Sequence, residues 1–109
     1  MSVKIEPASI AEQLVGREFL YLITNNHARS HVVALRPDLV GDEARFVNTG
    51  RTPLANVALN SAVTLTWPPC DPSQTHEHAK YSVVADGVAR LDGEVIVVTI
   101  TNAVLHRPA

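Results

Sequence analysis

The chain has 109 residues, a length that suits a single domain over 1–109 with one hydrophobic core. Its formal charge of −2 provides no basic field, so neither nucleic acid nor an anionic membrane is predicted as a partner. Cys70 is the only cysteine, which excludes an intramolecular disulfide, and no apolar run approaches the roughly 20 residues of a membrane-spanning helix. We therefore expect a cytoplasmic protein.

The first half of the chain predicts one helix followed by three strands. Ser9 and Glu12 have the spacing of a capping box, which predicts a short helix over about 8–16. Runs rich in β-branched and aromatic residues, separated by polar turns, then predict strands over 19–24, 31–36 and 44–48. Pro37 interrupts the second of these strands because it cannot donate to a strand ladder.

A change of period after residue 50 predicts a second helix of about two turns. Thr52 is a suitable N-cap, and Pro53 suits the first helical position because that position needs no N–H partner. Leu54 and Val57 begin an apolar stripe with helical spacing. Asn60 is a suitable left-handed cap at the other end.

Strand periodicity resumes over 63–67, and further strands are predicted over 81–85, 88–91 and 95–101. The Asp86-Gly87 pair permits either a hairpin turn or a glycine bulge in one bent strand. The bulge is favoured because a turn would leave a very short strand behind it. The sum is a mainly β fold of about six antiparallel strands, with a short N-terminal helix and one short helix between strands 3 and 4. This pattern fits a small, partly open barrel.

The segment 46–56 carries the chemistry that the sequence predicts most directly. A strand runs into Gly50 and then into a helix, whose first N–H groups are unpaired and suit an anion. Arg51 adds a fork of donors that matches a phosphate, and Thr49, Thr52 and Asn56 add hydroxyl and amide groups. Phosphate binding is one interpretation. The other is an ordinary helix start in which the arginine only covers the surface.

Several short motifs occur in a familiar order along the chain. They are an Asn-Asn-x-x-Arg loop at 25–29, Thr-Gly-Arg-Thr at 49–52, Ala-Asn-Val at 55–57, Val-Thr-Leu-x-Trp-Pro-Pro at 63–69 and the tail at 101–108. Together, from about residue 18 to 108, they resemble short pyridoxamine 5'-phosphate oxidase-like proteins, the flavin-binding split-barrel superfamily. No single motif is diagnostic, but their order and spacing are fairly specific.

This resemblance implies a split β-barrel that forms a homodimer, with a small-molecule cofactor, FMN or a deazaflavin, in a cleft at the subunit interface. It implies that the strand-to-helix segment holds the cofactor phosphate, and this role transfers to a set of five residues. They are Thr49, Gly50, Arg51, Thr52 and Asn56. Trp67 is predicted to pack against the ligand or the partner subunit, with simple core packing as the alternative.

The implied activity is that of an oxidoreductase acting on an unknown small-molecule substrate. The alternatives are a non-catalytic carrier of a flavin-like or haem-like ligand and a cofactor-free dimer. The stretch 31–34 lacks the second-strand arginine of many cofactor-binding relatives, which favours the alternatives. No catalytic residue is assigned, and His31 and Tyr81 are the only residues nominated as proton donors.

A metal site is not predicted. Cys70, His76 and His78 have a Cys-x5-His-x-His spacing, and zinc accepts both residue types. A structural zinc site needs a second well-spaced pair, which the sequence lacks. We therefore interpret 68–79 as a polar loop, with a flap over the interface cleft as its alternative use.

Overall fold

A computed structural model describes residues 2–70 and 78–107. His76, and with it most of the predicted 68–79 loop, lies outside these ranges. The elements in chain order are β1 (Ser2–Ile5), a 3-10 helix (Pro7–Gln13), β2 (Leu20–Asn25), β3 (Ser30–Leu35), β4 (Asp38–Val40), β5 (Glu43–Phe46), α1 (Arg51–Leu59), β6 (Ala62–Trp67), β7 (Ser82–Asp92) and β8 (Val95–His106). Neither helix in the described ranges has the length and apolar character needed to cross a membrane.

All the strands belong to one antiparallel sheet that curls back on itself. Its order is β3-β2-β6-β7-β8-β5-β4, and β1 pairs with the C-terminal part of β8. β3 and β4 lie at opposite ends of this path although only Arg36 and Pro37 separate them in the chain. The three chain steps between these strands reach at most about 11 Å. In a flat sheet the same two strands would lie about 29 Å apart. The sheet must therefore curl into an open barrel.

The core fills the inside of this curl because the strands alternate between buried and exposed residues. In β6, Val63, Leu65 and Trp67 point inward and are buried, whereas the threonines between them lie on the outer face. The largest fully buried side chains come from six different elements. They are Ile10, Leu20, Leu22, Phe46, Leu65, Trp67, Val83, Ile96, Val97, Val98, Ile100 and Leu105.

A β-bulge bends the two longest strands at the predicted pair Asp86-Gly87, although its extra residue lies on β8 and not at the glycine. The register between β7 and β8 shifts between Asp86 and Gly87, which pair with Asn102 and Ile100 respectively. The extra residue is thus Thr101 on β8, whose hydroxyl donates to the Asp86 carbonyl at 3.3 Å. The 81–85 and 88–91 segments are parts of one strand, so the hairpin alternative at this pair is wrong.

The predicted count of about six strands is too low, because residues 2–70 and 78–107 form eight strands. β1 and β4 were not predicted, since they are only four and three residues long and have few buried side chains. β1 forms by pairing with β8, and β4 forms by pairing with β5. No local sequence pattern reveals these pairings. β8 also extends to His106, five residues beyond its predicted end, because β7 and β1 flank it there.

The helix boundaries also differ from those predicted. The first helix is a 3-10 helix that starts at Pro7 and stops at Gln13, and the N–H of Ser9 donates to the Glu6 carbonyl instead of its side chain acting as the cap. Asn60 is not a left-handed cap, because its φ of −146° is extended. Its side-chain oxygen accepts a hydrogen bond from the N–H of Ala62 at 3.0 Å and so starts β6.

Arg17 fastens the 3-10 helix to the barrel. Its guanidinium donates to the carbonyls of Gln13 and His78, both at 2.8 Å, to that of Pro68 at 2.9 Å, and to that of Tyr81. Burial lowers the pKa of Arg17, but an arginine stays charged at neutral pH. One cation therefore holds together chain segments that are far apart in the sequence.

The bulge gives a test of the curled sheet. A Cβ added at Gly87 would lie 2.9 Å from the Thr99 carbonyl oxygen and would overlap the Val98 side chain. We expect Gly87→Ala to lower the free energy of unfolding by about 1–3 kcal/mol, as measured by chemical denaturation.

The control is Gly41→Asn, because this residue has a φ of +61° and open space around it. Asparagine tolerates this conformation, so we expect little change in stability. Equal stability of Gly87→Ala and the wild type would show that β7 and β8 do not approach each other this closely.

Candidate functional site

The corner between β5 and α1 is shaped by two residues with positive φ. Asn48 has a φ of +55°, and Gly50 has a φ of 96° with a ψ of 170°. The second combination is essentially restricted to glycine. Gly50 is the N-cap, so the predicted cap at Thr52 is wrong, and Pro53 is the third helical residue rather than the first. No side chain of the described residues caps the helix, so its first N–H groups lack a side-chain acceptor from that part of the chain.

A cleft of about 560 Å³ lies beside this corner, within the usual range for ligand pockets. One wall is the corner with the first turn of α1, and the other is the turn between β7 and β8. The lining residues are Val47, Asn48, Thr49, Gly50, Arg51, Leu54, Glu94 and Val95. Three of the six predicted cofactor-binding residues, Thr49, Gly50 and Arg51, thus come together here.

The cleft carries two opposite charges that do not neutralise each other. Arg51 and Glu94 both line it and are both exposed. Within residues 2–70 and 78–107, neither side chain has an ion-pair or hydrogen-bond partner. Val47, Leu54 and Val95 add apolar surface between the two charges. The cleft can thus offer a cation, hydrogen-bond acceptors and an apolar surface to one ligand.

The other three predicted residues lie outside this cleft. Thr52 is exposed on the first turn of α1. Asn56 is buried, and its amide donates to the hydroxyl of Thr24 at 3.1 Å, which ties α1 to β2. Trp67 is buried in the core at the end of β6 and borders a smaller cleft of about 230 Å³ that includes Arg36. Their part in cofactor binding stays a prediction.

Sequence reasoning did not find the second wall of the cleft. Glu94 lies between the strands predicted over 88–91 and 95–101, but nothing local indicates what this connection faces. The pairing of Phe46 with Ile96 brings Glu94 to the corner, because residues just after β5 and just before β8 then lie at the same end of the sheet. A strand-pairing register is the signal that would have identified Glu94.

Two of the three residues considered for metal binding, Cys70 and His78, make other contacts. The Cys70 thiol donates to the Val15 carbonyl at 3.6 Å, and the His78 Nδ1 lies 3.1 Å from the Gln13 Oε1. His76 lies outside the described residues. Among those that the structure describes, no three His, Cys, Asp or Glu side chains cluster in a way that could hold a metal ion.

The two nominated proton donors do not reach the cleft. His31 lies on β3 opposite Thr24, and its buried Nδ1 has no hydrogen-bond partner among the described residues. Tyr81 contacts the ring of His78 edge-on, with 5.4 Å between the ring centroids. Neither His31 nor Tyr81 lines the 560 Å³ cleft.

Comparison with known proteins finds similarity at the level of structure. No family profile and no curated protein matches the chain. An FAD-binding protein from Mesorhizobium loti superposes with a TM-score of 0.72 at 10% identity, covering 95% of this chain and 94% of the other. The FAD-binding protein from Mycobacterium smegmatis superposes with a TM-score of 0.66 at 19% identity, covering 98% and 100%.

A candidate pyridoxamine 5'-phosphate oxidase from Listeria innocua superposes with a TM-score of 0.64 at 12% identity, covering 88% of this chain and 92% of its own. The chain has the fold of the pyridoxamine 5'-phosphate oxidase-like split barrels. The resemblance inferred from the short motifs is therefore confirmed for the architecture. The split of the barrel lies between β3 and β4, the two strands that end the sheet.

The corner of the split barrel gives a second test. We expect Gly50→Ala to lower the free energy of unfolding by about 1–3 kcal/mol, because an alanine is strained at this φ and ψ although nothing lies within 4 Å of the added Cβ. Chemical denaturation measures the change.

Asn48→Gly is the matched control, since glycine adopts a φ of +55° readily and should cost less than about 1 kcal/mol. A larger loss in the control than in Gly50→Ala would show that the Asn48 side chain, and not the Gly50 backbone, determines the corner.

Proposed function

We propose that this protein is a flavin- or deazaflavin-binding oxidoreductase whose cofactor phosphate binds at the Gly50–Arg51 corner. The observation that carries this proposal is the guanidinium of Arg51, which has no partner among the described residues, beside a helix start that none of their side chains caps, in a cleft of about 560 Å³. A phosphate there would accept hydrogen bonds from backbone N–H groups and from the arginine fork. The fold of the FAD-binding neighbours supports the same class of ligand.

The residues of the corner fit a phosphate-bearing cofactor. Thr49 lies in the cleft wall, with its hydroxyl 3.4 Å from the Gly50 carbonyl, a long contact that a ligand oxygen can replace. FMN, expected from the resemblance, shares a phosphate with FAD and with deazaflavins, so the corner suits all three. Bound flavin supplies hydride or electron transfer, and the protein supplies binding, orientation and exclusion of water.

The outer face of the sheet supports a homodimer. On the β3-β2-β6-β7 side, one cross-strand row of this face is largely apolar and consists of Ala34, Tyr21, Thr66, Val84 and Val104. The neighbouring row begins with the apolar Val32 and Ile23 on β3 and β2 and becomes polar at Thr64, Asp86 and Asn102. Burial of such a face against a second copy is favourable because it removes apolar surface from water.

The opposite side of the barrel is charged. Arg45 pairs with Asp92 at 3.1 Å and Arg90 with Glu43 at 3.6 Å, across the outer face of β8. These ion pairs are suited to contact with solvent. The aliphatic parts of Arg45 and Arg90 flank Val97 on the outer face of β8, and Val97 is therefore fully buried although its neighbours in the strand are the ones that point inward. The asymmetry favours the apolar side as the dimer surface.

A non-catalytic ligand carrier is the second candidate. Among the described residues that line the cleft, none is a histidine, tyrosine or cysteine, which favours ligand binding without proton transfer by those side chains. Turnover of a reduced nicotinamide by the flavin-loaded protein supports the oxidoreductase. Flavin binding without turnover supports the carrier.

Replacement of Arg51 tests the phosphate site. We expect Arg51→Ala to weaken FMN or FAD binding by about 1.5–3 kcal/mol, the usual contribution of a hydrogen bond to a charged group. Quenching of flavin fluorescence during titration gives the affinity. Arg90→Ala is the matched control, because this arginine is also exposed but lies outside the cleft. Equal affinities of both variants and the wild type would remove Arg51 from the site.

Replacement of Val32 tests the dimer. Val32 is exposed on β3, and we expect Val32→Asp to shift the protein from dimer to monomer in sedimentation velocity, since it places a charge in the apolar face. Val40→Asp is the control, because Val40 is more exposed but lies on β4 at the other end of the sheet. A dimer unaffected by Val32→Asp would place the interface elsewhere.

A further inference from the structure

The smaller cleft, of about 230 Å³, lies at the C-terminal end of β6. Its other walls come from the 3-10 helix and the residues that follow it, from the Arg36–Pro37 link and from β4. It shares no lining residue with the cleft beside Gly50. A ligand in the smaller cleft would therefore bind independently of the proposed flavin site.

The indole N–H of Trp67 indicates that this cleft takes a hydrogen-bond acceptor. Trp67 lines the cleft although only 2% of its surface is exposed. Its N–H has no acceptor among the described residues. The N–H also keeps access to solvent, since the one fully buried side-chain N or O atom without a partner in those residues is the His31 Nδ1. An indole N–H is a donor only, and a buried tryptophan usually directs it to an acceptor.

Arg17 adds a second donor that is held in place by the main chain. It lines the cleft, and its guanidinium makes four hydrogen bonds to carbonyl oxygens, two from Nη1 and one each from Nε and Nη2. A guanidinium has five N–H groups, so one N–H on Nη2 is left over. All four acceptors are neutral, and Arg17 has no carboxylate partner among the described residues. Its positive charge can therefore act on a ligand.

Arg36 adds a second cation to the cleft. It is exposed, and its side chain has no ion pair or hydrogen bond in the described ranges. Glu18 lines the same cleft and is also exposed, but it does not pair with Arg36. Since two arginines outweigh one carboxylate, the charges of the cleft attract an anion.

The other four lining residues limit the size and the polarity of that anion. They are apolar, namely Ala11, Leu14, Pro37 and Leu39. The volume is below the range of about 300–1,000 Å³ that is usual for ligand pockets. A phosphate ester would leave the apolar wall uncovered and would bring a second negative charge close to Glu18. A small carboxylic acid with a short apolar chain suits the wall, the volume and the charge.

We propose that this cleft binds a small aliphatic monocarboxylic acid. Its carboxylate accepts hydrogen bonds from the indole N–H of Trp67, from the remaining N–H of Arg17 and from Arg36. A carboxylate can accept all of these because its two oxygens offer about four lone-pair sites. The apolar chain of the acid packs against Leu14 and Leu39. The site goes beyond the proposed flavin function and does not depend on it.

The experiment is a titration of the purified protein with 4-methylpentanoate at constant ionic strength. Trp67 is the only tryptophan, so its fluorescence reports directly on the cleft. We expect a saturable change in this fluorescence. The uncharged amide, 4-methylpentanamide, should bind at least about tenfold more weakly, since a hydrogen bond to a charged group contributes about 1.5–3 kcal/mol. No saturable change with the acid, or equal binding of acid and amide, would overturn the proposal.

Two variants test the donors. Arg36→Gln should weaken binding of the acid by about tenfold or more. Arg29→Gln is its matched control, because Arg29 is also exposed and lies beside β3 but lines neither cleft. Trp67→Phe, followed by calorimetric titration, should also lower the affinity by about tenfold because it removes the N–H and keeps an aromatic ring. Equal affinities of Arg36→Gln and Arg29→Gln would overturn the proposal even if Trp67→Phe fails to fold.

Addition of FMN separates this site from the proposed flavin site. The affinity for 4-methylpentanoate should stay the same with and without FMN, because the two clefts share no lining residue. Competition between the two ligands would overturn the proposal of a separate acid site while the flavin function stands. Saturable binding of the acid by a protein that binds no flavin would overturn the flavin function and support the acid site.

Discussion

The pairing of β8 on both of its sides is the constraint on which the rest of the structure depends. β7 follows it along nearly its whole length, while β5 covers the first part of the other side and β1 the last. The bulge at Thr101 bends the pair at the point where β8 passes from one neighbour to the other, and Gly87 leaves room for the close approach. The curl then lets a two-residue link join the edge strands β3 and β4.

The same pairing builds the candidate site. The register of β5 with β8 brings the turn that carries Glu94 next to the corner that carries Arg51, although 43 positions separate them in the sequence. The corner itself is local, because the backbone of Gly50 and the start of α1 follow directly from the order of residues. Arg51 at the local corner and Glu94 on the distant turn therefore line one cleft only when β5 and β8 are paired.

This division explains what could be predicted from the sequence. Gly50 and Arg51 were identified because a glycine before a helix and an arginine at its start leave a local pattern. The N-cap was predicted at Thr52 and lies at Gly50. Thr49 and Thr52 are near this position and are common N-cap residue types, and the sequence does not reveal the unusual φ and ψ of Gly50. β1 and β4 were not predicted for a related reason. Strands this short form because they pair with neighbouring strands, and their own alternation of buried and exposed residues is too short to recognise.

The geometry of the cleft sets a requirement for the proposed chemistry. Val47, Arg51 and Glu94 are exposed at its rim, so a single subunit covers a bound ligand on one side only. Hydride transfer is favoured where water is excluded, so an oxidoreductase needs a second surface over this cleft. The outer face that we propose as the dimer contact lies on β3, β2 and β6, away from the β5 corner and the β7–β8 turn that form the cleft. Phosphate binding at the corner therefore does not depend on that contact.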